Sequence, residues 1–204
     1  EMLRSLVGSE MCIRDRSIET QPYNAEKLKR CLPELRSMTV RKPEEFLPRM
    51  RTIFAECGIA FVLLPHLKNS GINGAVKWLT EDRVVLAMNN RGLDADKFWF
   101  SLFHEIKHVF QQKIKTVFIS STVEEMKDIN NNLEAEADKF ATNYLISPVD
   151  YKRLAPSKYT SDDDIIEFAR SIGIHPGIVA GRLQHDGIIA QNRCSKLKEK
   201  YVIE

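Results

Sequence analysis

His104 and His108 stand four residues apart with Glu105 between them, in the run Phe98-Trp-Phe-Ser-Leu-Phe-His-Glu-Ile-Lys-His-Val-Phe110. On a helix, residues i and i+4 share a face one turn apart, so the two imidazoles can aim at one point. Glu105 follows about 100° further round, close enough to touch a water at that point without displacing a histidine. Two neutral nitrogen ligands, an open coordination position and a carboxylate that can take a proton are the parts of a zinc peptidase centre. The bland alternative is a buried helix whose histidines only fill space. With five histidines in 204 residues, this spacing around a glutamate is uncommon by chance. Phe98, Leu102, Phe103, Ile106, Val109 and Phe110 wrap most of the helix in apolar surface. A polar group buried there without a partner costs roughly 1–3 kcal/mol, and a metal ion supplies the partner.

A two-histidine site that keeps a water position needs one more protein ligand, often a Glu from a later helix. The stretch from Asn132 to Ile146 reads as such a helix, with Ala137, Phe140, Ala141, Tyr144 and Leu145 on its inner face. Glu134 lies on the inward stripe and is the first candidate; Glu136, four before Phe140, is its rival. Asp138, one turn after Glu134, can accept a hydrogen bond from a ligand histidine. Without the upstream histidines, these acids would read as an ordinary first turn favoured by the helix dipole.

Other elements must hold these side chains in place. Asn24–Leu35 carries weak helical signals. Pro43, followed by Glu44 and Glu45, opens a helix that carries Phe46, Met50, Ile53, Phe54 and Cys57 at helical spacing, with Gly58 suited to the position after its end. Ile59 to Pro65 reads as a buried strand, residues 66–73 as a loop, and Gly74–Leu79 and Arg83–Met88 as two strands joined by the turn Thr80-Glu81-Asp82. Asp94 suits the N-cap of the motif helix. That helix is expected to pack on the sheet. Residues 111–131 are polar and read as loop, with at most a short helix.

Composition bounds the rest. The chain is 43% hydrophobic and 28% charged, which is globular, and its net charge of +2 gives no sign of a nucleic-acid surface. Cys12, Cys31, Cys57 and Cys194 lack paired spacing and fit free thiols in a reducing compartment. No apolar run approaches the ~20 residues of a membrane span, and no signal-peptide core is present. A cytoplasmic protein is expected. Ser5 to Arg16 reads as translated sequencing adapter, so residues 1–16 are expected to be a non-native or disordered leader whose presence displaces the true start. Residues 17–42 are then a helical lead-in, and 43–204 the domain, with a core at 43–147 and a helical C-terminal segment at 148–204.

His104-Glu-Ile-Lys-His108, then Glu134-Ala-Glu-Ala-Asp-Lys-Phe-Ala141, then Leu145-Ile-Ser-Pro148, resembles the ImmA/IrrE family of metallo-endopeptidases. The tail resembles it too, in Phe168-Ala-Arg-Ser-Ile-Gly-Ile-His-Pro-Gly-Ile-Val-Ala-Gly-Arg-Leu-Gln184 and in Leu197-Lys198. The resemblance covers roughly residues 40–202, with Ser147 a departure where the family often has Pro. It implies an α+β fold: a reduced zincin-like domain with a small, mostly antiparallel three-stranded sheet packed on the metal-binding helix and a helical C-terminal part. It implies His104, His108 and Glu134 as ligands of Zn2+, a gluzincin-like set that Mn2+ or Fe2+ could also occupy, and Glu105 as general base. Family members cleave helix-turn-helix repressors and so relieve repression of stress-response or mobile-element genes, sometimes beside toxin–antitoxin genes. Members with this tail often carry an N-terminal DNA-binding domain, so the expected partner here is a protein substrate, with no nucleic-acid binding by residues 17–204 themselves. The alternative is a non-catalytic sensor or antitoxin module that keeps the zincin shape.

A tetrahedral oxyanion would need a further donor. His175 and Arg182 are candidates for that role or for substrate contact. His175-Pro176-Gly177 also reads as a helix start, and Arg182 can pair with a nearby carboxylate. His66 and His185 read as solvent-facing, and Trp78 and Trp99 as core. Asp162-Asp163-Asp164 reads as the acidic opening of a helix.

Overall fold

Asn24 opens the first helix among the described residues, α1 (Ala25–Ser37), its side chain accepting the Lys27 N–H at 2.9 Å. The computed structural model describes residues 18–64, 73–89, 94–111, 123–154 and 161–201. The expected leader, His66 and most of the 66–73 loop lie outside these residues. Helix α2 (Pro43–Glu56) begins on Pro43 with Glu44 and Glu45 in its first turn. Gly58 follows its end at φ +82°, a left-handed conformation that a side chain resists, and a Cβ there would also strike the Tyr23 backbone.

Strands β1 (Ile59–Leu64), β2 (Gly74–Thr80) and β3 (Arg83–Asn89) form a sheet in the order β1-β3-β2. β2 runs antiparallel to β3, but β1 runs parallel to it, with Ile59 opposite Val84 and Leu63 opposite Met88. The sheet is therefore mixed rather than mostly antiparallel. The tight turn at Glu81–Asp82 reverses the chain between β2 and β3. The longer link after β1 lets β2 take the far edge, and the two apolar strands become neighbours. Alternation splits their side chains between two faces: Ile59, Phe61, Val84, Leu86 and Met88 join the main core, while Ala60, Val62, Val85 and Ala87 are buried on the other side.

Helix α3 (Ala95–Phe110) carries the histidine motif and packs on β2 and β3. Asp94 occupies its N-cap, but its carboxylate pairs with Lys97 at 3.1 Å instead of capping the backbone. Phe98, Trp99, Leu102, Phe103 and Ile106 are fully buried. Trp99 donates to the Tyr201 hydroxyl at 2.9 Å, and Phe46, Phe98, Trp99 and Tyr201 form one aromatic cluster that anchors the C-terminal segment.

Helix α4 (Val123–Leu145) lies against α3. It starts at Val123, well before the expected Asn132, and Asn130, Asn131 and Asn132 ride inside it, exposed. From Val123 onward the polar run that reads as loop is helical, with Asp128, Asn130 and Asn131 exposed, while 112–122 lie outside the described residues. Short α5 (Pro148–Leu154), α6 (Asp162–Ile172) and α7 (Pro176–His185) complete the seven α-helices among the described residues. Ser161 and Asp164 form a reciprocal cap at the start of α6, which accounts for the aspartate run there. Arg36 ties α1 to this part: its guanidinium donates to the carbonyls of Tyr144, Leu145 and Ile172 at 2.9–3.1 Å. Those carbonyls close α4 and α6, where a cation also opposes the negative end of the helix dipole. No helix among the described residues is long and apolar enough to cross a membrane.

Candidate metal centre

Helical spacing puts His104 and His108 on one face of α3, and α4 crosses that face with Glu134. His104 Nε2 lies 2.9 Å from His108 Nε2 and 3.2 Å from a Glu134 oxygen, whose other oxygen is 3.4 Å from His108 Nε2. All three donor atoms lie within 4.8 Å of one another.

The other ring nitrogens settle what these atoms carry. Asp138 Oδ1 stands 2.8 Å from His104 Nδ1, and a carboxylate oxygen accepts, so His104 Nδ1 donates. Gln111 is buried and its Nε2 donates to the Leu133 carbonyl at 3.0 Å and to Glu136 at 3.3 Å. Its Oε1 therefore faces His108 Nδ1, at 2.8 Å, and accepts from it. With both rings neutral, the two Nε2 atoms are left with lone pairs pointing at each other and at a carboxylate. Three lone-pair donors in such proximity repel unless a cation sits among them. A tetrahedral zinc with bonds of about 2.0–2.1 Å needs its donors roughly 3.3 Å apart, so the set fits. Burial lowers the pKa of His108 against the pull of Glu134, which favours the neutral ring that a metal ligand requires.

Glu136, the rival ligand, points elsewhere. It pairs with Lys107 at 3.1 Å, and that bond, with Gln111, holds its carboxyl below the usual range. Glu134 remains 61% exposed while the histidines are largely covered, so the third candidate ligand lies on the solvent side of the group.

Glu105 is only 8% exposed and reaches the sheet. A Cβ at Gly74 would lie 2.6 Å from Glu105 Cγ and 3.0 Å from Oε1, so the start of β2 must be glycine for the carboxylate to sit there. Gly74 shares a face of β2 with Val76 and Trp78, which pack toward the main core. Gly74 and Gln111 escape the sequence reading. Only the glycine at a strand start, and a glutamine three residues after His108, hint at them.

His175 and Arg182 do structural work. His175 caps α7, its Nδ1 accepting the Gly177 N–H at 3.1 Å, and its Nε2 faces Glu199 at 3.5 Å. Arg182 pairs with Asp186 at 2.6 Å and lies over the Tyr151 ring. Trp99 is core as expected, while Trp78 is half-buried against Tyr23. Compared with known proteins, the chain matches no family model and no curated protein.

Proposed function

We propose that this chain is a zinc-dependent endopeptidase of the ImmA/IrrE type that cleaves a cytoplasmic regulatory protein, a helix-turn-helix repressor. One observation carries the peptidase reading: the ligand atoms of His104, His108 and Glu134 lie within 4.8 Å of one another, three protein donors among the described residues where a closed structural site has four, and Glu105 directly follows His104 in the same helix. The repressor substrate follows from the resemblance of residues 104–108, 134–148 and 168–184 to that family. His104, His108 and Glu134 would hold the ion. When bound, it supplies Lewis acidity, bringing the pKa of water from ~15.7 towards ~7 and polarising a carbonyl. Mn2+ or Fe2+ suits the same nitrogen and oxygen donors.

Glu105 accepts the proton of the attacking water and later hands it to the leaving amine nitrogen. Gly74 lets that carboxylate stay seated between helix and sheet, while Asp138 and Gln111 hold the two imidazoles in the tautomer that leaves Nε2 free. β2 is an edge strand of the sheet, as is β1, and its Gly74 end meets Glu105. An extended substrate backbone laid along β2 brings its carbonyl towards the base by strand addition.

The test begins with elemental analysis of the purified chain beside Glu134→Ala. Near-stoichiometric zinc in the parent, lost or weakened in the variant, is expected. Glu105→Gln should keep metal and fold but stop cleavage of a co-expressed repressor. Absence of any transition metal after zinc addition would sink the peptidase reading, and cleavage that persists in Glu105→Gln would sink the general-base role.

A further inference from the structure

A cavity of about 410 Å³ opens between α3, α4 and α7. It begins one helical turn from the candidate metal centre on two elements. On α3, Phe100 lines it and stands one turn before His104, with the two ring centroids 6.3 Å apart. On α4, Asp138 lines it and stands one turn after Glu134, bonded to His104 Nδ1 at 2.8 Å. From the sheet, Asn73 lines it and precedes Gly74, the residue against Glu105. An extended chain whose carbonyl lies near Glu105 therefore has a neighbouring side chain within reach of the cavity.

Phe100, Leu145, Ile146 and Ile178 give it apolar walls. Charged groups border it as well, and each already has a partner. Lys97 pairs with Asp94 at 3.1 Å, Arg182 with Asp186 at 2.6 Å and Lys198 with Asp96 at 2.8 Å. The Asp96 oxygen that lacks a hydrogen bond is itself buried, so it meets no guest. His185 is 85% exposed beside Asp186, at the mouth rather than in the wall. Asp138 serves His104, and with a divalent ion on that imidazole the carboxylates of Asp138 and Glu134 together offset two positive charges. A charged guest would have to give up water and either break a pair already made or go without a counter-charge. An uncharged apolar guest only displaces water from apolar walls.

We propose that this cavity receives the substrate side chain next to the scissile bond and selects a large, uncharged, apolar one: leucine, isoleucine, methionine or phenylalanine. The place beside the scissile bond rests on the peptidase reading; the preference for an uncharged apolar guest does not depend on turnover.

Three probes of one shape and different charge separate the two. Toluene, benzoate and benzylammonium are titrated into the zinc-loaded full chain, with the methyl NMR signals of Ile146 and Ile178 as readout. Toluene is expected to shift both signals and to bind at least about tenfold more tightly than either ion. Ile178→Trp fills the cavity and should abolish the toluene response at Ile146. No toluene response in the parent, equal binding of either ion, or toluene binding that survives Ile178→Trp overturns the assignment. The comparison within the parent decides the matter even if the variant fails to fold. A peptide library incubated with the parent adds the catalytic arm. Large apolar residues should be enriched, and Asp, Glu, Lys and Arg depleted, at one position flanking the cut. Cleavage without that pattern overturns the substrate-pocket role. No cleavage, with the toluene preference intact, upholds the apolar selectivity and rejects the peptidase reading together with the place beside the cut.

Discussion

Glu105 rests against Gly74, so close that a single methyl group on the glycine would overlap its side chain, 2.6 Å from Cγ. The contact crosses from the helix that carries the two histidines to an edge strand of the sheet. It makes a backbone position on β2 part of the placement of the proposed base. Gly74→Ala should push Glu105 from its seat at a packing cost of about 1–3 kcal/mol. Urea melts should show that loss, elemental analysis should show unchanged zinc, and peptide hydrolysis should drop at least about tenfold. Unchanged hydrolysis would mean that the carboxylate has another productive position.

Asp138 and Gln111 each accept a hydrogen bond from one of the two motif histidines. Asp138→Ala and Gln111→Ala should each weaken zinc affinity by about 10–100-fold, measured by chelator competition. Glu136→Ala, which touches Lys107 and Gln111 but not the ligand atoms, should change it far less. Equal losses from all three would point to general destabilisation of α4.

Zinc itself should stabilise the fold. At about 100 times its Kd, the free ion adds about 2.7 kcal/mol if it binds only the folded chain. Chelation should lower Tm correspondingly, and His104→Ala should make Tm insensitive to zinc. A zinc response retained in His104→Ala would place the ion elsewhere.

Arg36 closes the C-terminal ends of two helices from a third. Its replacement by Ala leaves three carbonyls short of a donor and should cost about 2–3 kcal/mol in urea unfolding. Lysine, with one ammonium in place of a planar fork, should recover only part of this. Full recovery by lysine would reduce the role to charge alone.

Burial lowers the pKa of His175 from its ordinary 6.5, although Glu199 and Asp96 pull it upward. Below that pH the unfolded chain binds a proton that the folded chain resists. The stability from this residue is therefore complete above about pH 6.5 and declines as pH falls below it. His175→Asn keeps an acceptor for the Gly177 N–H but cannot titrate. The fall in Tm between about pH 8 and about pH 5.5 should be smaller in the variant than in the parent. An identical fall in both would assign the pH dependence to other groups, His108 first among them.

Local chemistry carried far in this chain. The i, i+4 pairing of His104 and His108, the inward stripe that carries Glu134, and Asp138 one turn beyond it all follow from the period of one helix. Gly58 after α2, the cap position at Asp94 and the three strand runs are likewise properties of short segments. What needed the tertiary structure was set by elements meeting across long chain separations. The parallel pairing of β1 with β3 depends on where the link after β1 delivers β2, and no local pattern encodes that. The early start of α4 was missed because Val123, Met126, Ile129 and Leu133, although at helical spacing, are outnumbered by the polar residues between them, which read as loop. The division of labour between Glu134 and Glu136 was decided by the crossing of α4 over α3, which sends one carboxylate to the histidines and the other to Lys107. Gln111, Gly74, Arg36 and Asp96 acquire their roles in the same way: each acts on a partner from another element, and side-chain type alone cannot say which partner the packing will supply.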